Sequence, residues 1–188
     1  MKTRYIVFDT ETTGLGKEDW ILQLAYQSYD QNCAKLDHFT GYFEPLEDYE
    51  IHENAFEVHG LTKEFIAENA YKNHQVRERL RRLAGWASED WIFIGHNVSF
   101  DVRMVRQDAA RHGVTIHEIT CFCTKNDPKI KAFVGATDKN NKPKAPNLAE
   151  LYRKLFGEEI AGAHDALADV RATARCFFEL KRLGIVTI

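Results

Sequence analysis

Asp9 and Glu11 end an apolar run, Tyr5-Ile6-Val7-Phe8, and lead into the turn-forming stretch Thr12-Thr13-Gly14-Leu15-Gly16. A strand alternates its side chains with a period of two, so both carboxylates project from one face, roughly 7 Å apart along the backbone. Two unpaired anions there repel. A hard divalent cation such as Mg²⁺ or Mn²⁺ would relieve the repulsion, since it takes carboxylate oxygens and keeps positions open for water and phosphate. Taken alone, the pair reads equally well as a strand running into a solvated acidic turn, because D-x-E is short and common.

Two further acidic constellations bear on that choice. The run Trp91-Ile92-Phe93-Ile94 leads into Gly95-His96-Asn97-Val98-Ser99-Phe100-Asp101, a strand, a turn and a helix start. On that helix Val98, Val102, Val105 and Ala109 form one stripe, and His112-Gly113 closes it. Asn97 and Asp101, four apart, flank the stripe at the end where a helix favours anions, and dipole complementation alone would account for Asp101. The third constellation, Gly162-Ala163-His164-Asp165-Ala166-Leu167-Ala168-Asp169, opens the last helix, with Asp165 as its N-cap and His164 just outside. Asp169 falls off the stripe of Leu167, Val170, Ala174 and Phe178, where an ordinary exposed carboxylate would sit. Three such sites, each at the end of a hydrophobic element, favour one shared site over three unrelated ones.

The elements that must position these residues follow from periodicity. Residues 4–9, about 21–30 and about 36–44 read as strands of an antiparallel meander. Helices are expected at about 62–70 and 75–88, then a strand at 91–94, a helix at 98–112 and a short strand near 117–123, where Cys121-Phe122-Cys123 alternates. Asn147 and Glu150 form a capping box for a helix burying Leu148, Leu151, Leu155 and Phe156, stopped by Gly157. The last helix runs from about 165 to 183, ending at Gly184. Early strands followed by alternating helices and strands indicate an α/β fold, a mixed sheet covered on both sides.

These motifs resemble those of the DEDDh exonucleases, the DnaQ-like 3′-to-5′ exonucleases of the ribonuclease H-like fold. The first motif of that family is D-x-E, here Asp9 and Glu11. The second, H-N-x-x-F-D, is His96-Asn97-Val98-Ser99-Phe100-Asp101, and the third, H-x-A-x-x-D, is His164-Asp165-Ala166-Leu167-Ala168-Asp169. Between them Val58-His59-Gly60-Leu61-Thr62 is similar to the V-H-G-I-T segment, with Leu61 for isoleucine. The His164 motif places the resemblance in the His branch rather than the Tyr branch. It implies a five-stranded mixed sheet with helices on both faces and the acidic residues gathered at one edge.

The resemblance also implies a chemistry: hydrolysis at the 3′ end of single-stranded or frayed nucleic acid, DNA ahead of RNA, by two Mg²⁺ or Mn²⁺ ions. Asp9, Glu11, Asp101 and Asp169 are the implied metal ligands, and His164 the base that takes the proton from the attacking water, a role suited to a side chain that titrates near neutrality. Thr12, Thr13, Gly14 and Leu15 would meet the terminal nucleotide, Leu15 as a wedge, while His59 and Phe100 abut bases and Asn97 bonds the sugar-phosphate. Core packing competes for Leu15 and Phe100. An RNA-trimming enzyme of the same family and a catalytically silent nucleic-acid-binding module are the alternatives; presence of all five family residues argues against the silent one. A DNA polymerase in trans is a further partner, although the chain ends at Ile188, without the long tail by which some relatives attach.

Composition agrees. With 188 residues, 44% of them hydrophobic, the chain suits one domain over residues 1–188. Neither a membrane span nor a leader is legible, so a cytoplasmic protein with free thiols at Cys33, Cys121, Cys123 and Cys176 is expected. A net charge of −3 is unusual for a nucleic-acid binder, but residues 125–144 hold six lysines (Lys125, Lys129, Lys131, Lys139, Lys142, Lys144), either a phosphate contact or a solvated connector with one turn of helix near Ile130–Val134. Arg77, Arg79, Arg81 and Arg82 read mainly as a solvated helix face.

Overall fold

The computed structural model describes residues 3–89, 91–162 and 164–188. In chain order its elements are β1 (Tyr5–Thr12), β2 (Ile21–Tyr29), β3 (Lys35–Phe43), α1 (Glu53–His59), α2 (Lys63–Asn69), β4 (Ala70–Tyr71), α3 (Asn73–Ser88), β5 (Ile92–Gly95), α4 (Val98–Arg111), β6 (Cys121–Cys123), α5 (Pro128–Val134), α6 (Leu148–Phe156) and α7 (Ala166–Arg182). One sheet results, in the order β4-β3-β2-β1-β5-β6. The first three strands form the expected antiparallel meander, while β5 runs parallel to β1 and β6 parallel to β5.

β1 sits inside this sheet and its alternation sorts the molecule into two cores. Ile6 and Phe8 join Leu80 and Leu83 of α3 and Met104 and Val105 of α4 on one face. Tyr5 and Val7 join Leu151 of α6 and Val170, Phe177 and Leu180 of α7 on the other. Aromatic rings meet edge-on in both layers, Phe8 with Phe93 at 5.5 Å and Tyr5 with Phe177 at 5.3 Å.

The sheet has six strands, not five. The extra one, β4, is two residues long and pairs parallel to the outer part of β3, too short to leave a period in the sequence. α1 was also invisible to periodicity, because it buries none of its residues and so carries no apolar stripe. β6 is confined to Cys121–Cys123, and α7 ends at Arg182.

Ordered structure fills the basic stretch after β6. Asp127 caps α5 by accepting from the N–H groups of Lys129 (2.9 Å) and Ile130 (3.0 Å), and Ile130 is buried in the α7-side core. A turn follows, closed by a bridge between Thr137 and Pro143. The arginines of α3 are less free than a solvated face: Arg82 pairs with Asp37 at 2.8 Å, Arg79 lies over the Phe39 ring and Arg77 donates to the His112 carbonyl. All four cysteines are free thiols, and among the described residues no helix is long and apolar enough to cross a membrane.

Candidate active site

Because Asp9 and Glu11 share the parity of Tyr5 and Val7, they leave β1 on the face covered by α7. Asp169 is in the first turn of that helix, and one oxygen from each of the three carboxylates lies within 4.8 Å of the other two. The start of α7 is fixed by two devices. Asp165 accepts from the N–H groups of Leu167 and Ala168, both at 3.1 Å, as the expected N-cap. Gln23 of β2, opposite Glu11 in the register, donates to Asp165 Oδ2 (2.9 Å) and accepts from Ala166 N–H (3.2 Å). Gln23 is 2% exposed, and the signal for it in the sequence was a lone amide inside the apolar run Ile21-Leu22-Leu24.

Asp101 is held on the opposite side of β1. It belongs to α4, on the other layer, and its Oδ1 accepts both the N–H (3.1 Å) and the hydroxyl (2.8 Å) of Thr10, the residue between the two strand carboxylates. It therefore stands apart from the three clustered carboxylates. Thr10 escaped sequence analysis because its neighbours draw the eye; its odd parity relative to them was the available clue.

Repulsion and burial act together here. Loss of hydration, then Asp101, Glu11, Asp169 and Asp165, hold half-buried Asp9 well above the usual carboxylate range. Glu11 is pushed up to about 8, by burial first and then by Asp169, Asp101 and Asp165. Burial pushes Asp101 up to about 7 against the opposing pull of the Thr10 bonds. Asp169 is also raised by burial, less so because the His164 N–H donates to its Oδ2 at 3.3 Å. Three converging oxygen donors that cannot all ionise comfortably are a donor set that a hard divalent cation fits.

His164 lies exposed beside Asp169 with a left-handed backbone, φ 70°, unusual for a residue other than glycine. Ala163 of the same motif lies outside the described residues.

A cleft of about 760 Å³ opens next to the carboxylates, lined in part by Glu11, Thr12, Gly14, Leu15, His59, Asn97 and Phe100. Leu15 is 77% exposed at this cleft, whereas Phe100 is half-buried and packs on the α4-side core. Asn97 adopts φ 92° and makes no capping bond with its side chain, which is left for the cleft. Both ring nitrogens of His59 are engaged: Nε2 donates to the Thr12 carbonyl (3.1 Å) and Nδ1 accepts from Leu61 N–H (3.0 Å). That ties the C-terminal end of α1 to the end of β1. Thr13 is buried and does not line the cleft; its hydroxyl donates to Asp19 at 2.8 Å. Asp19 and His52, absent from the sequence reading, pair at 3.2 Å across Gly14, where an added Cβ would stand 2.5 Å from the His52 ring and 2.7 Å from the Asp19 carboxylate. Only glycine allows that approach. His96 is buried between Thr124, whose hydroxyl its Nδ1 meets at 3.0 Å, and the Pro146 carbonyl, to which Nε2 donates at 3.1 Å.

Comparison with known proteins agrees with this architecture. In E. coli exonuclease I bound to a dT13 oligonucleotide the same fold is found with a TM-score of 0.79 at 20% identity, over 97% of this chain and 42% of that one. The zinc-bound form of the E. coli ExoI–ssDNA complex gives a TM-score of 0.79 at 22% identity, over 96% and 41%. Among curated proteins, DNA polymerase III PolC-type of Staphylococcus aureus is 27% identical over 187 residues. That alignment takes in 97% of this chain and 12% of the polymerase, so the chain spans a small part of the relative's length. The RNase_T family, described as exonuclease, matches residues 6–177, from the second residue of β1 into α7 and so across every element that supplies a clustered carboxylate. The chain belongs to this exonuclease family.

Proposed function

We propose that the chain removes nucleotides from the 3′ ends of single-stranded or frayed nucleic acid, DNA in preference to RNA, with two divalent ions, Mg²⁺ or Mn²⁺. The observation that carries this reading is the convergence of Asp9, Glu11 and Asp169 within 4.8 Å beside a cleft that Glu11 itself lines. Those three carboxylates would hold the ions, with Asp101 as a fourth, outer one. Bound there, divalent ions supply charge stabilisation on the phosphoryl oxygens and a more acidic attacking water. His164 takes the proton of that water at an imidazole nitrogen, and its exposed position lets the proton pass on to solvent. Exposed Leu15 abuts the last base, the Gly14 backbone admits the terminal sugar, and Asn97, Phe100 and His59 orient the rest of the nucleotide. The buried hydroxyls of Thr12 and Thr13 keep this loop in shape, donating to Gly14 O (2.7 Å) and to Asp19.

The preference for DNA is supported by the relative that is a DNA polymerase and by the oligodeoxynucleotides bound to exonuclease I. A polymerase acting in trans is a fitting source of frayed ends. The test is hydrolysis of matched 3′- and 5′-labelled single-stranded DNA and RNA with Mg²⁺, with Mn²⁺ and with chelator, beside Asp9→Ala. We expect metal-dependent shortening from the 3′ end, faster on DNA and lost in the variant. Cleavage from the 5′ end, or equal cleavage by a folded Asp9→Ala, would refute the reading.

A further inference from the structure

The cleft beside the carboxylates is lined by one Lys or Arg among the described residues, Lys125. No ion pair or hydrogen bond among the described residues engages its ammonium, whereas Lys144, at the far end of the same basic stretch, is spent on Glu150 at 2.6 Å. A half-buried cation without a partner in an otherwise acidic cleft is costly unless an anion arrives to meet it.

Its backbone is held in place. Thr124, fully buried, donates its N–H to the Gly95 carbonyl at 3.1 Å, and its hydroxyl meets His96 Nδ1. On the other side Asp127 N–H bonds back to the Cys123 carbonyl at 3.2 Å before Asp127 caps α5. His96 fastens the turn to Pro146, where the basic excursion returns. Burial lowers the His96 pKa to about 4, so this fastening is made by a neutral ring at working pH. Lys125 thus projects from a pre-ordered turn at the end of β6, and phosphate binding there would order little more than the lysine stem.

The charges that act on Asp9, Glu11, Asp101 and Asp169 do not include Lys125, although its charge is felt at His96. It lines the cleft yet stands off from the carboxylates, so it does not serve the phosphate that lies over them. Resting on the nuclease reading above, we propose that Lys125 binds the backbone phosphate of the linkage immediately 5′ of the one that is cut, and so sets the hold on a strand rather than on a single nucleotide.

The test uses 5′-fluorescein oligothymidylate carrying one neutral methylphosphonate, placed in turn at each of the last four linkages. Binding is read by anisotropy with Ca²⁺ for the wild type, Lys125→Met, which keeps the apolar stem, and Lys125→Arg. Lys125→Met is expected to weaken the unmodified strand about fivefold and to make the slope of log Kd against log salt shallower by about 0.7. The methylphosphonate at the proposed linkage should weaken the wild type and Lys125→Arg by a similar factor and leave Lys125→Met unaffected. Equal losses in wild type and Lys125→Met at that linkage, or non-additivity at another linkage, would overturn the assignment. Shortening of the unmodified strand with Mg²⁺, followed in parallel, separates the two readings: a wild type that shows the coupling and does not cut would refute the nuclease and uphold the lysine.

Discussion

Glu11→Gln should stabilise the metal-free protein at alkaline pH while destroying its activity. In the folded chain burial and three neighbouring carboxylates raise Glu11 from 4.5 to about 8. A carboxyl raised on folding binds its proton more tightly when folded, so the folded state is favoured below the unfolded value and loses ground as pH climbs from about 4.5 towards 8. The shift of about 3.5 units, at about 1.4 kcal/mol each, makes ionised Glu11 a liability of about 5 kcal/mol. Water and counter-ions entering the open cleft reduce this to about 2–4 kcal/mol. The amide keeps the shape and removes the charge. Urea unfolding in chelator should find the two proteins within about 1 kcal/mol at pH 5, where Glu11 is protonated, and the variant more stable by about 2–4 kcal/mol at pH 8.5. Mg²⁺ should close the gap by stabilising the wild type alone, since a cation offsets the charge that the variant lacks. A variant less stable than wild type at pH 8.5, or a gap that does not change between the two pH values, would show that Glu11 is not ionised against this repulsion and would remove the electrostatic case for a cation.

Three other perturbations test the parts around it. His164→Ala should keep Mn²⁺ binding, measured by paramagnetic resonance, and lose about 100-fold in turnover, with partial rescue by free imidazole; unchanged turnover would exclude His164 as the base. Gln23→Leu unfastens the start of α7 and leaves the buried N–H of Ala166 without its acceptor, so urea unfolding should show a loss of about 1–3 kcal/mol, with a fall in kcat as Asp169 loses its place. Gly14→Ala forces the new methyl against His52 and Asp19, and should raise KM more than it lowers kcat while costing about 1–3 kcal/mol in thermal melting; wild-type KM would mean that the loop and α1 shift together without consequence.

Much of the site was legible because its signals are local. The strand parity that aims Asp9 and Glu11 together, the Asp165 cap and the Asn147–Glu150 capping box are interactions within a few residues, and each stands in the structure as read. What was missed involves distant partners or elements without a period. β4 is two residues long, α1 buries nothing, and the pair of Asp19 with His52 spans a loop and an unread helix. His59 appeared as a base-stacking candidate, and only contacts to Thr12 and Leu61 reveal that its nitrogens are already occupied.

By itself the sequence determined the chemistry: a set of carboxylates and a histidine, each at the end of an apolar element, in the order and spacing of an exonuclease family. Periodicity also determined that a mixed sheet would be covered on both faces. Only the tertiary structure decided which carboxylates share a center. α7 packs on the face of β1 that carries Asp9 and Glu11, and α4 on the face that carries Thr10, so Asp169 joins the first pair while Asp101 is held through a threonine. The physical reason is that the side on which a helix docks is set by burying its apolar stripe against a particular sheet face, a choice made between residues more than a hundred positions apart. The same docking leaves Lys125 in the cleft with no carboxylate to meet it, which no reading of its neighbours in the chain could have shown.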